Sequence, residues 1–268
     1  MNNYYADKFK INYGKVDIVA QLRIDHIFEI FQTIATEHCS ELGMDYYTLN
    51  AKDNAFWVLA KIKILLDEDL PTWGDIINAV TFPNKPGSAK FIRNYYIEKM
   101  NKVRPVKAIA EWCVLERGTN RIKRSENLSC YPHSLKHEED VLVESNFARF
   151  DATDFDGKRA LYKKKVLLSD LDSNLHMNNV NYAKLVLDCF KISEYTKNFI
   201  SEIELQYVSQ VRLGETICVY RVANNKENYI IGKEAKSGRI VFKAYVVLTK
   251  RKHKIEKIKI VNEWSKSS

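Results

Sequence analysis

The sequence predicts an α+β fold built by internal duplication: two related halves, in each of which one helix precedes a run of antiparallel strands. Three observations predict it. An apolar pattern of helical period opens each half, segments rich in β-branched and aromatic residues follow each helix, and two short stretches recur at matching places in both halves. A length of 268 residues suits two domains of ~130 residues each. The 46% apolar and 28% charged composition is that of an ordinary globular chain, which excludes disorder along its whole length.

The first helix is expected from Asp25 to Gly43, with Ile27, Phe31, Ile34 and Leu42 on one face, Asp25 as N-cap and Gly43 as the stop. His38 lies on that apolar face and reads as a core histidine with its hydrogen bonds met. Phe56–Ile64, Ile76–Phe82, Lys90–Met100 and Ala108–Glu116 read as strands. The second helix is expected from Asn178 to Tyr195, its stripe formed by Val180, Ala183, Leu187 and Phe190. Ile203–Tyr207, Thr216–Val222, Asn228–Glu234 and Arg239–Lys250 are the strands of the second half, with turn signals at Asn224-Asn225 and Ser237-Gly238. The stretch Leu70–Ile77 echoes Gln210–Ile217, each a strand, a Gly-acid turn and a second strand; Trp112–Arg117 echoes Tyr245–Lys250. Between the halves the chain turns polar, with Pro132, the charged run Lys136–Asp140 and Asp151–Gly157. The expected organisation is therefore a domain over 1–130, a linker over 131–160 and a domain over 161–268. Trp57, Trp73 and Trp112 read as core or pocket wall, and Cys189 as a small buried apolar residue.

A formal net charge of +8 and a pI near 9.0 point to an acidic partner, such as an acidic carrier protein, anionic lipid or a phosphorylated cofactor. The densest basic stretch, Lys250–Lys259, reads as an end strand or short helix. Five widely spaced cysteines without a CxxC pair indicate neither a zinc site nor a disulfide framework. The reading that follows is a reducing cytoplasm, with no signal peptide at the N-terminus and no membrane span. There is no P-loop, GxGxxG, HExxH or GxSxG, so no metal and no nucleotide or other cofactor is expected. The basic residues are dispersed and carry no base-stacking motif, which argues against nucleic acid.

The chemistry concentrates in Ser169–Tyr182, where two carboxylates, asparagines and a histidine stand directly before an apolar helix. A helix N-terminus offers free backbone N–H groups and a dipole that favour developing negative charge. A carbonyl docked there is polarised and its oxyanion stabilised. His176 suits proton transfer near neutral pH, Asn174 can hold a water or a carbonyl, and Asp172 can orient its neighbours, act as base or attack.

The pattern Asp172-x-Asn174-x-His176-x-Asn178-Asn179-Val180-x-Tyr182 resembles the signature of the acyl-acyl-carrier-protein (acyl-ACP) thioesterases. Phe56-Trp57-Val58-Leu59, Trp73-Gly74-Asp75, Phe91–Tyr95 and Glu111–Leu115 look like that family's landmarks in order, so the resemblance spans nearly the whole chain. It implies a tandem (double) hotdog, each an antiparallel β-sheet wrapped around a long central helix. The N-terminal hotdog would supply the acyl-chain pocket, with Trp57 and Phe31 at the substrate, and the C-terminal one the catalytic residues Asp172, Asn174 and His176, with Asn178 and Asn179 beside the substrate. It implies hydrolysis of fatty acyl-ACP during fatty acid biosynthesis, with acidic acyl carrier protein as partner; a homodimer is an open assembly. One departure stands out: where the family carries a Glu, this chain has Gln210, followed by Val211 in place of the plant Cys. An amide positions a water but does not accept its proton. Two routes stay open: attack by Asp172 itself, or attack by a water held by Gln210 and Asn174 with His176 or Asp172 as base. Gln210 also motivates a non-catalytic acyl-binding module as an alternative, beside an acyl-CoA thioesterase.

Overall fold

The computed structural model describes residues 3–132, 135 and 141–252. The first half comprises β1 (Tyr5–Lys10), α1 (Ile24–Glu41), α2 (Tyr46–Asp53), β2 (Ala55–Leu66), β3 (Ile76–Pro83), β4 (Phe91–Lys99), β5 (Val106–Glu116) and the short β6 (Ile122–Lys123). The second comprises β7 (Tyr162–Lys165), α3 (Asn179–Leu187), α4 (Ile192–Lys197), β8 (Asn198–Tyr207), β9 (Thr216–Asn224), β10 (Glu227–Glu234) and β11 (Ile240–Lys250). All strands join one 11-stranded antiparallel sheet in the order β1-β3-β4-β5-β2-β8-β11-β10-β9-β7, with β6 paired to β5. Outward from the centre the order is β2-β5-β4-β3-β1 on one side and β8-β11-β10-β9-β7 on the other, the same succession twice. The seam is antiparallel, from Lys61↔Gln206 to Leu65↔Glu202. The stretches that echo one another in sequence fall at equivalent places, before β3 and β9, and in β5 and β11.

α1 buries Ile24, Ile27, Phe28, Phe31, Ile34, Ala35 and His38, a stripe at three- and four-residue spacing, and packs against α3. Burying that stripe, with Ile62, Ile64, Ile203, Leu205 and Phe242 from the strands, makes one continuous core under both halves. Asp25 is not the N-cap. That position is Arg23, and Asp25 lies buried in the first turn, accepting Nε (3.0 Å) and Nη2 (2.7 Å) of Arg23. A carboxylate in the first turn is favoured by the helix dipole.

The second helix is shorter than its apolar stripe. It ends at Leu187, and a separate turn, α4, begins at Ile192. Past the break the Arg221 guanidinium takes up the freed backbone: its Nη1 donates to the Cys189 carbonyl at 2.9 Å, and its Nη2 holds Glu194 at 2.6 Å. Trp73 is not core. It is 66% exposed and meets Tyr13 edge-to-face at 5.8 Å. Cys189 is buried, and His38 is fully buried with Nδ1 3.0 Å from Arg93 Nη1.

The segment between the halves is bound to the sheet as a strap. Lys63 Nζ donates to the Asn146 carbonyl at 2.9 Å, Ala148 N to Glu204 Oε2 at 2.7 Å, Gln206 Nε2 to the Ala148 carbonyl at 3.0 Å, and Lys243 Nζ to the Phe150 carbonyl at 2.8 Å. Its Lys136–Asp140 run lies outside the described residues, as does most of the basic stretch, whose first residue, Lys250, ends β11. Among the described residues no disulfide and no metal-binding cluster occurs, and no helix is long and apolar enough to cross a membrane.

Candidate active site

The residues before α3 form a short closed loop. Asp172 N donates to the His176 carbonyl at 2.8 Å, and Leu175 N to the Asp172 carbonyl at 3.0 Å. The Asp172 carboxylate reaches forward: Oδ1 accepts the backbone N–H of Asn174 at 2.8 Å and of His176 at 3.4 Å. An Asp accepting backbone donors two and four residues on is a local turn device. Leu175 closes the loop with φ +60°, a left-handed conformation that a side-chain-bearing residue adopts only where its surroundings enforce it. Beneath the loop, the Asp170 carbonyl accepts Asn178 N and Asn181 Nδ2, both at 2.9 Å. Asp172 and His176 are half-buried, while Ser173, Asn174 and Leu175 are exposed.

Asn178 is the N-cap of α3, its Oδ1 accepting Val180 N at 2.9 Å. Asn179 lines a narrow cleft with Phe28, Phe31, Tyr95, Trp112 and Tyr207. Phe31 itself is 1% exposed and packs against Tyr95 at 4.8 Å between ring centres. Gln210 is exposed, and its backbone carbonyl accepts Arg239 Nη1 at 2.7 Å.

Behind the loop runs the turn into β9. Met177 N donates to the Val211 carbonyl at 2.9 Å, and His176 pairs with Arg212 as an isolated bridge. Arg239 clamps this turn, holding Ser209 Oγ at 2.7 Å and Glu215 Oε1 at 3.1 Å, while Glu215 Oε2 accepts Arg212 N at 2.7 Å. Sequence reasoning passed over Arg239, because its partners are distant along the chain and no motif marks it.

In front of the loop lies a mainly apolar cavity of about 170 Å³. Among the described residues, Asn174 is the one lining residue from the second half; the rest of the wall comes from the first half, including Ala35, Cys39, Trp57, Phe91, Arg93 and Trp112, and from Tyr131 and Leu135 of the connecting segment. Trp57 is fixed there by a 2.9 Å bond from Nε1 to the Met44 carbonyl. Burial pushes the Cys39 thiol above its ordinary value, so it stays neutral on this wall.

The loop occurs twice. In the first half Asp17 N donates to the Gln21 carbonyl at 2.8 Å, and Asp17 Oδ1 accepts Val19 N at 2.9 Å and Gln21 N at 3.1 Å. Ala20 takes φ +62° where the second half has Leu175, Leu22 N donates to Pro71 O as Met177 N does to Val211 O, and Gln21 bridges Thr72 as His176 bridges Arg212. Asp17, Val19 and Gln21 thus stand where Asp172, Asn174 and His176 stand. Only the aspartate is common to both, so no sequence echo reveals the copy.

The sequence profile of the acyl-ACP thioesterase N-terminal domain matches residues 2–129, and that of the C-terminal domain matches residues 156–262. The chain belongs to the acyl-ACP thioesterase family. A chloroplastic palmitoyl-acyl carrier protein thioesterase of Arabidopsis thaliana is 26% identical over 221 residues, 76% of this chain and 51% of the relative. Its counterpart from Cuphea hookeriana is 28% identical over 202 residues, 69% of this chain and 46% of that one. The chain spans about half the length of the curated relatives it matches. Among solved structures, an acyl-ACP thioesterase from Bacteroides thetaiotaomicron superposes with a TM-score of 0.83 at 22% identity, covering 92% of this chain and 98% of that one. The 12:0-ACP thioesterase of Umbellularia californica gives 0.81 at 16% identity, covering 94% and 99%. The fold is the double hotdog of the acyl-ACP thioesterases.

Proposed function

We propose that this chain hydrolyses fatty acyl thioesters carried on acyl carrier protein, releasing free fatty acid and the carrier thiol as a terminating step of fatty acid synthesis. One observation carries the reading: an Asp-x-Asn-x-His loop of the second half places Asn174 in the wall of an apolar cavity built mostly by the first half. An acyl chain suits such a cavity, and its thioester then meets the loop at the N-terminus of α3. There the helix dipole favours the oxyanion, while Asp172 and His176 handle protons. The names of the matched relatives, thioesterases of acyl carrier protein, support the same substrate class. The net charge of +8 suits capture of an acidic carrier.

The test is to incubate the purified chain with a mixed acyl-ACP pool and, separately, with acyl-CoA, and to identify the released acids by mass spectrometry. Release from acyl-ACP that weakens as salt rises is the expected result. Faster turnover of acyl-CoA would reassign the carrier. Saturable acyl binding without any release would replace the hydrolase with a binding module.

A further inference from the structure

Among the described residues Lys63 and Arg93 are the buried cations, and the fold provides for them differently. Lys63 lies between Glu202 and Glu204, each at 3.1 Å. Arg93 has no such company. It is 7% exposed and stands on β4 in the row Phe91, Arg93, Tyr95 and Ile97, whose other members are aromatic or aliphatic and buried. Alternation along a strand puts these four on one face, and that face packs against α1, since Tyr95 meets Phe31 and Arg93 meets His38. Nη1 donates to His38 Nδ1 at 3.0 Å and to Thr81 Oγ1 at 3.3 Å, and Nη2 reaches Cys39 Sγ at 3.6 Å. None of these acceptors is anionic. His38 Nδ1 accepts and so carries no proton, the Thr81 hydroxyl donates its own hydrogen to the Asn94 carbonyl at 2.9 Å, and burial keeps the Cys39 thiol protonated. Among the described residues no carboxylate comes within ion-pair distance of Arg93, and its Nε has no hydrogen-bond partner. The Asp45 carboxylate, also in the cavity wall, is committed to Tyr47 N, Thr48 N and the Thr48 hydroxyl at the start of α2.

A buried guanidinium without a counter-charge is unfavourable, and arginine does not relieve the cost by shedding its proton. Arg93 lines the cavity in front of the Asp-x-Asn-x-His loop, so an occupant of that cavity meets it. A plain hydrocarbon chain would take water from the guanidinium and return nothing. A chain carrying an oxygen offers an acceptor to N–H groups that the protein leaves unused, and a carboxylate also cancels the charge. We infer that this cavity takes oxygenated acyl chains, that is, acyl groups bearing a hydroxyl, oxo or carboxyl group beyond the thioester, and that Arg93 is the residue that selects them. The inference rests on the cavity being the acyl pocket of the proposed function and names the substrate class within it. Arg93 determines specificity and takes no part in breaking the C–S bond. The apolar wall beside it, with Leu42, Met44, Trp57, Phe91 and Trp112, covers the methylenes of the same chain.

The experiment compares acyl-ACPs of one chain length that differ only in oxygen: saturated, hydroxylated, oxo-substituted and ending in a carboxyl group. The best oxygenated chain should exceed the saturated one in kcat/KM by ~10-fold or more, the scale of a hydrogen bond to a charged group. Arg93→Met should bring that ratio to about one, whereas Arg93→Lys, which keeps the charge and loses the planar fork, should retain part of it. A saturated chain turned over as well as every oxygenated chain would overturn the inference and leave the hydrolase standing. A ratio that survives in Arg93→Met would overturn it too, because a side chain that merely supports the fold costs all substrates alike. If Arg93→Met does not fold, the comparison on the parent chain decides. Binding gives a second readout that needs no turnover. Acyl-pantetheine analogues with nitrogen in place of the thioester sulfur are titrated into the chain by calorimetry, and the best oxygenated analogue should bind ~10-fold tighter or more than the saturated one. That preference without hydrolysis of any acyl-ACP or acyl-CoA would sink the hydrolase and keep the inference. Equal binding of all the analogues would sink the inference whatever the turnover.

Discussion

At the scale of single residues, the second-half loop separates groups that build from groups that react in the proposed function. The Asn178 side chain caps α3, whereas the His176 side chain makes no hydrogen bond to a described residue. His176→Ala should therefore abolish most turnover, by ~100-fold or more for a lost acid-base group, without moving the unfolding midpoint. Asn178→Ala should do the reverse in stability, losing about 1 kcal/mol for a missing N-cap, which chemical denaturation would read directly. The Asp-x-Asn-x-His spacing was legible in sequence because its side chains are consecutive and their types unusual before a helix. Arg239 was not, because its grip on Ser209, Gln210 and Glu215 closes a loop of some thirty positions, from Ser209 to Arg239, that no local pattern announces. The same holds for the bond between Tyr195 and Asp17, whose partners are 178 positions apart.

At the scale of elements, periodicity located α1 and the apolar strands β2 to β5 and β8 to β11, because one face of each is buried. It missed β1, whose residues are mostly exposed, and the lysine-rich β7, both at the sheet's edges, where no apolar alternation is required. It also carried the second helix too far. The stripe from Val180 to Phe190 continues, but the helix ends at Leu187, and Arg221 takes the Cys189 carbonyl beyond it. That guanidinium gives the break a pH dependence. The Arg221 bond, more than any other contact, holds the Glu194 carboxyl below its ordinary 4.5. Because the folded pKa is the lower one, the unfolded chain takes up the proton first as pH falls. The contribution of Glu194 to stability is then complete above 4.5 and lost as pH drops through its folded value. Glu194→Gln should consequently be less stable than the parent at neutral pH and equal to it in strong acid, as urea titrations at the two pH values would show.

At the scale of the whole molecule, the duplication was legible as two helix-then-strand halves, while the fusion of both sheets into one was not, since the pairing of β2 with β8 leaves no mark in either strand alone. The strap between the halves also read as a free linker, because its bonds to Lys63, Glu204, Gln206 and Lys243 are made by backbone groups. In the proposed function the halves divide the labour: the first supplies most of the cavity wall, the second the loop that bears Asn174. Ala35 is a buried member of that wall. Ala35→Leu should fill part of the cavity and shift the released acids to shorter chains; overpacking is expected to lower stability by about 1–3 kcal/mol. Product profiling of parent and variant on one acyl-ACP pool would check it. The β2–β8 seam has a consequence for how the chain behaves when scarce. Wall and loop are parts of a single polypeptide zipped along its middle, so they never need to meet by diffusion. Turnover per molecule should hold constant through serial dilution, far below the concentrations at which paired subunits drift apart, and a decline on dilution would reveal that a second copy of the chain completes the site.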